Sequence, residues 1–160
     1  MTEAKDILIL GIGNLLLKDE GIGVHVVNKM KEMSVPDNVE VLDGGTAGLD
    51  LVDFIEGRKK LIVIDAVNAG EKPGTLYRLT EENLDIKPKA ISSFHEIDFI
   101  DALHMSEIVN SKPEEIVVIG IEPKDMSSGL ELSPEIEERI PEIIKLVMKE
   151  LNHKEVVNEN

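Results

Sequence analysis

The chain has no cysteine and no tryptophan, and only one tyrosine and three phenylalanines in 160 residues. Without cysteine there are no disulfides, no thiolate metal sites and no thiol nucleophile. Four aromatics do not make a platform for stacking nucleic-acid bases. Cations are scarce as well: 17 Lys plus Arg face 32 Asp plus Glu, a formal charge of −15. Such a chain lacks the counterion-releasing surface that phosphate backbones demand, and it is repelled by anionic membranes. No apolar run approaches the ~18 residues of a membrane span, and the first residues show no signal-peptide pattern. Glutamine is also missing beside abundant Lys and Glu, a composition compatible with heat tolerance.

What is present is a hydrophobic share of 42%, enough for a packed core in one domain of this length. The expectation is a soluble, cytoplasmic domain over residues 1–152, followed by a polar tail at 153–160 that frays. Strand-length apolar runs alternate with helix-period segments, the pattern of an α/β fold. Residues 7–12 and 116–121 are continuous apolar runs, as in parallel strands covered on both faces. Residues 39–42 and 61–64 are also of strand type, and 75–79 alternates like an edge strand. Ile22, Val26 and Met30 form one stripe of a helix over about 20–33. Thr46 is placed as the N-cap of a helix carrying Leu51, Val52 and Ile55. Ile97, Ile100, His104 and Ile108 predict one face of a third helix. Ser133-Pro134 opens the last helix, with Ile136, Ile140, Ile143, Val147 and Leu151 as its stripe and a kink at Pro141. No element is assigned to about 80–96. The predicted architecture has three layers: a twisted, mostly parallel sheet with helices on both faces.

In such sheets ligands bind beyond the carboxyl ends of the strands, beside the reversal of strand order. The first strand is followed by Asn14, Asp19 and Glu20, the second by Asp43-Gly44-Gly45-Thr46, the third by Asp65. His95 falls in a loop before the third helix, and Glu122 follows the late strand. Glu20, Asp65 and His95 together offer two carboxylates and one imidazole, a donor set suited to a borderline divalent ion with open positions. Each also has a plain structural reading. Glu20 could complement a helix dipole, Asp43 before two glycines could be a turn residue, and His95 could be a surface-loop histidine. Asp65 resists this treatment, because an unpartnered charge closing an apolar strand is costly. His104 on its apolar stripe reads as a core or edge residue, and His25 and His153 read as surface. Gly11-Ile-Gly13 begins like a dinucleotide fingerprint, but Leu16 replaces the third glycine and Asp43 lies too far on. No Gly-x-Ser-x-Gly elbow exists.

The blocks Leu10-Gly-Ile-Gly-Asn-Leu-Leu-Leu-Lys-Asp-Glu-Gly-Ile-Gly-Val24, Leu42-Asp-Gly-Gly-Thr-Ala-Gly-Leu49, Ile64-Asp-Ala66, Pro73-Gly-Thr75, Ser92-Ser-Phe-His95, Gly120-Ile-Glu-Pro123 and Leu132-Ser-Pro134 together resemble the hydrogenase maturation proteases. These are endopeptidases that process large subunits of nickel–iron hydrogenases. The resemblance spans roughly residues 7–148. It implies an α/β fold and a precursor substrate whose C-terminal extension is cut after nickel is inserted. The family's metal-contacting positions fall on Glu20, Asp65 and His95, which are also the catalytic candidates, with the attacking group unassigned. Asp43, Gly44, Gly45 and Thr46 match the block implicated in substrate binding, and Glu122 stands where many relatives carry Gln. Nickel is then expected to arrive with the precursor, with no tightly held metal of the chain's own. A monomer without nucleic-acid or membrane partners is expected. The rival reading is a non-enzymatic nickel- or nucleotide-binding module; a small-molecule hydrolase holding a divalent ion is another.

Overall fold

The computed structural model describes residues 4–46, 50–86 and 103–153. Five strands form one sheet: β1 (Ile7–Ile12), β2 (Val39–Gly45), β3 (Lys60–Ala66), β4 (Leu76–Thr80) and β5 (Glu115–Ile121). Their order is β2-β1-β3-β5-β4, and every pairing is parallel except that of β4 with β5. The antiparallel β4 lies at the edge, as its alternating pattern predicts. Residues of β1, β3 and β5 are buried on both faces, so their sequences are nearly continuous apolar runs.

Each face of the sheet carries its own apolar layer. Ile9, Ile62, Ile64, Val117 and Ile119 pack with Ile22, Val26 and Met30 of α1 (Ile22–Met30). The same layer takes in Ile136 of α5 (Pro134–Glu137) and Ile140, Ile143 and Val147 of α6 (Ile140–Glu150). Leu8, Leu10, Leu61, Val63 and Val118 pack on the other face, with Leu51 and Ile55 of α2 (Leu51–Ile55) and Leu103. Leu103 opens a helical run at 103–108, here α4; α3 spans Glu81–Ile86. Alternate strand residues thus feed opposite cores. Each fully buried Leu or Ile contributes roughly 1.5–3 kcal/mol relative to exposure. The three-layer α/β prediction is correct.

Several local expectations change. The predicted 20–33 helix is a 3-10 turn, Lys18–Gly21, followed by α1. The predicted last helix is two: Pro141 sits in the first turn of α6, where its missing N–H is no loss, so it starts a helix instead of kinking one. Ser133 is the N-cap of α5, but its hydroxyl makes no cap hydrogen bond. Thr46 does not cap α2; Asp50 holds that position, and residues 47–49 lie outside the described ones. Residues 81–86 are helical where no element was assigned. On α4 the buried positions are Leu103 and Ser106, one turn apart, so His104 and Ile108 face outward. Ile97 and Ile100 lie outside the described residues.

His25 is not a plain surface residue. Its Nε2 is buried without a hydrogen-bond partner. Burial lowers its pKa below the usual histidine value; Glu137 pulls it back and Lys29 lowers it further. In the predicted tail, the His153 carbonyl accepts a hydrogen bond from the buried Lys60 Nζ at 2.9 Å, and residues 154–160 lie outside the described ones.

Candidate active site

The chain runs from β1 through α1 to β2 on one side, then crosses to β3 on the other side of β1. Strand order therefore reverses between β1 and β3, and the carboxyl ends of these strands are the expected ligand crevice. Three glycines bring the connection after β1 down onto that crevice. A Cβ on Gly11 would lie 2.2 Å from the Gly23 carbonyl oxygen, and one on Gly23 would lie 2.1 Å from that of Ile64. A Cβ on Gly13 would meet the Glu20 carbonyl oxygen at 1.9 Å. The glycines that begin like a nucleotide fingerprint thus serve close packing of α1 and the 3-10 turn on the sheet. That packing sets Glu20 against the end of β1, and the turn also packs on β3.

Asp19 and Glu20 are neighbours with different work. Asp19 is fully buried. Its carboxylate accepts hydrogen bonds from the backbone N–H groups of Lys124 (3.0 Å), Asp125 (2.8 Å) and Ser133 (2.7 Å), and from the Ser133 hydroxyl (2.8 Å). It staples the loop after β5 to the loop after β1. This explains why Ser133 does not cap α5 with its side chain. Backbone pairing reinforces the join: Asp19 N–H donates to the Asp125 carbonyl, Lys18 N–H to that of Gly129, and Gly129 N–H to that of Leu16. On the surface Lys18 Nζ meets Asp125 at 3.1 Å. Hydrogen bonds from Ser127, with Lys18 beside it, hold the Asp125 carboxyl at about 2.

Glu20 is 8% exposed and Asp65 4%. Asp65 is the sixth residue of β3, which runs two residues further than the predicted strand end, and it faces Gly120 of β5 in register. Its Oδ1 accepts the N–H of Ala66 at 2.8 Å. By alternation along β3, Asp65 shares its face with Leu61 and Val63, whereas Ile64 faces α1. Both carboxylates therefore lie at the strand-order reversal, one on the turn entering α1 and one at the end of β3. His95 lies outside the described residues. Among the described residues no three His, Asp or Glu side chains gather closely enough to hold a metal ion.

Asp43 is in β2 and not in a turn: the strand continues to Gly45, and Asp43 pairs with Gly11. The register slips at Gly44, since Ile12 pairs with Gly45, so Gly44 is the extra residue of a β-bulge. Gly44 is buried against Leu10 and Leu51. Gly45 accepts a hydrogen bond from Gly13 N–H at 3.0 Å, which ties this block to the loop that leads to Glu20. Asp43 and Thr46 are exposed on the same rim.

Glu122, at the end of β5, organises the segment after β3. One oxygen, Oε1, accepts from Ala69 N–H (2.9 Å), Glu71 N–H (3.0 Å) and the Tyr77 hydroxyl (2.7 Å). Burial, then this hydrogen bond and the Glu122 charge, push Tyr77 well above the usual phenol range. All three donors use one oxygen, which a Gln amide carbonyl also offers. The roles of Asp19 and Glu122 escape sequence reading because their partners are distant in the chain. Asp19 reaches Ser133 across 114 residues.

A sequence model described as hydrogenase maturation protease matches residues 24–150. The chain belongs to the hydrogenase maturation protease family. It is 37% identical over 148 residues to the hydrogenase expression/formation protein HupD of Bradyrhizobium diazoefficiens, covering 91% of this chain and 77% of that one. It is 34% identical over 147 residues to the hydrogenase 2 maturation protease of Escherichia coli, covering 91% and 90%. The solved structure of the E. coli hydrogenase maturating endopeptidase HybD superposes with a TM-score of 0.85 at 33% identity, covering 91% of each chain. The chain is an endopeptidase of this family. No helix among the described residues is long and apolar enough to cross a membrane.

Proposed function

We propose that this protease removes the C-terminal extension of a nickel–iron hydrogenase large-subunit precursor once nickel is in place. Glu20, Asp65 and His95 would contact the precursor's nickel, and Asp43, Gly44, Gly45 and Thr46 would bind the substrate chain beside it. The observation that carries this reading is that Glu20 and Asp65 both stand at the carboxyl ends of the strands where strand order reverses. The neighbouring Asp19 serves the fold through four structural hydrogen bonds.

Carboxylate and imidazole donors suit a cation that must be touched and released, and the chain has no thiolate that would retain it. Nickel-loaded precursor would then dock better than empty precursor. Extra affinity of ~3 kcal/mol gives a discrimination of about a hundredfold. For the cleavage, water adds to the scissile carbonyl carbon. Its proton passes to one of the two carboxylates and on to the leaving amine nitrogen as the C–N bond breaks.

Mass spectrometry of a nickel-loaded precursor, before and after exposure to the protein, tests the reaction. A single cut that removes the C-terminal extension is expected. An intact precursor after prolonged exposure would overturn the proposal.

A further inference from the structure

Leu15, Leu16 and Leu130 are 36%, 64% and 67% exposed, on a chain of net charge −15. They come from two loops far apart in sequence but joined in space. Leu17 forms a bridge with Gly129, and the Gly129 N–H donates to the Leu16 carbonyl at 2.8 Å. The buried Asp19 carboxylate fastens the same two loops together from below. Such a surface is held in shape before any partner arrives, which reduces the ordering cost of binding.

The patch is continuous with the candidate site. A Cβ on Gly21, the residue after Glu20, would lie 3.0 Å from Leu15 Cα and 3.3 Å from Leu15 Cδ2. Leu15 therefore covers the backbone that carries Glu20. Charge around the patch is negative or paired. Glu131, next to Leu130, is exposed, while Lys18 and Lys124 are engaged by Asp125 and Glu135.

We infer that Leu15, Leu16 and Leu130 form the landing surface for an apolar segment of the precursor, flanked in that precursor by Lys or Arg. The inference rests on the proposed function, and it assigns to this rim a share of substrate affinity separate from the nickel contact. Exposed leucines in a fixed frame supply binding through apolar burial. The acidic surroundings favour a basic flank and disfavour acidic competitors.

The test compares the unaltered protein, Leu16→Ser/Leu130→Ser and Leu16→Met/Leu130→Met, using nickel-loaded precursor. Precursor binding is read by surface plasmon resonance and tail removal by mass spectrometry, with melting temperature as the control for folding. The Ser pair is expected to bind at least tenfold more weakly, with melting unchanged and kcat retained at saturating precursor. The Met pair, which keeps the surface apolar, should bind like the unaltered protein. Equal binding by the Ser pair would overturn the inference. So would self-association of the unaltered protein in light scattering that the Ser pair abolishes, since a second copy would then be the occupant. If the unaltered protein binds but leaves the tail in place, the proposed cleavage fails, yet weaker binding by the Ser pair still upholds the surface. No binding by the unaltered protein would overturn both.

Discussion

The two ends of the sheet hold buried charge in opposite ways. At the amino end, each cation leading into β3 meets a carboxylate. Arg58 Nη2 reaches Glu40 at 2.8 Å, Lys59 reaches Asp6 at 3.7 Å, and Lys60 reaches Glu150 at 3.3 Å and Glu115 at 3.4 Å. Arg78 adds a second cation to Glu150. Arg58 also donates to the carbonyls of Phe54 and Lys5, and Lys60 to those of Glu150 and His153. This end is a closed network of the kind that fixes position. At the carboxyl end, Asp19 and Glu122 are satisfied mainly by backbone N–H groups and hydroxyls, and Glu20 and Asp65 stand at the strand-order reversal. A buried acid is thus not a functional signal by itself; its place in the fold decides. The amino end neutralises charge to hold the fold, and the carboxyl end is where the proposed nickel adds positive charge from outside.

If that contrast is right, changes at the amino end cost stability and changes at the carboxyl end cost activity. Lys60→Met, which leaves Glu115 without its cation and Glu150 with Arg78 alone, should destabilise by about 3 kcal/mol. Denaturant unfolding measures this, and kcat should be unaltered at temperatures where the variant is folded. Glu20→Gln and Asp65→Asn should each slow tail removal by at least about a hundredfold, with melting temperature preserved. A variant that melts early would move its carboxylate into the structural class. Asp19→Ala sharpens the comparison, because it is a structural acid at the functional end. It orphans three backbone donors and a hydroxyl, so a loss of about 3 kcal/mol is expected in denaturant unfolding.

The pH dependence has a definite sign. His25 has its folded pKa below the usual histidine value of 6.5, so the folded state binds fewer protons than the unfolded state. The associated stability is present above pH 6.5 and is lost as pH falls below it. Burial pushes the Glu150 carboxyl up, but Arg78 and Lys60 outweigh it and leave it below the usual 4.5. Its contribution is present above pH 4.5 and is lost as pH falls further. Melting temperature should therefore drop in two stages on acidification, and His25→Gln should remove the upper one. The smallest effect is expected from Glu122→Gln, which keeps the oxygen that accepts all three hydrogen bonds. Its unfolding free energy should stay within about 1 kcal/mol of the unaltered protein.

The sheet was legible because its central strands are buried on both sides. The apolar run predicts β1 without error and β5 to within one residue. Glu20 and Asp65 were legible as polar groups at apolar strand ends. What escaped depends on tertiary partners. Pro141 is ambiguous between a kink and a helix start until Glu138 and Arg139 turn the chain. His104 and Ile108 match a helical stripe, but the layer beneath α4 takes Leu103 and Ser106 instead. The division of labour between Asp19 and Glu20 is invisible in Asp-Glu-Gly, since the donors that occupy Asp19 come from the loop after β5. His25 read as surface because it falls off the Ile22-Val26-Met30 stripe, yet its ring nitrogen is covered.

Tail-removal rates of nickel-loaded and nickel-free precursor, compared for the unaltered protein and Asp65→Asn, test the central claim most directly. The account predicts that the unaltered protein cleaves loaded precursor about a hundredfold faster, and that Asp65→Asn loses most of this preference. Equal rates with and without nickel for the unaltered protein would contradict it.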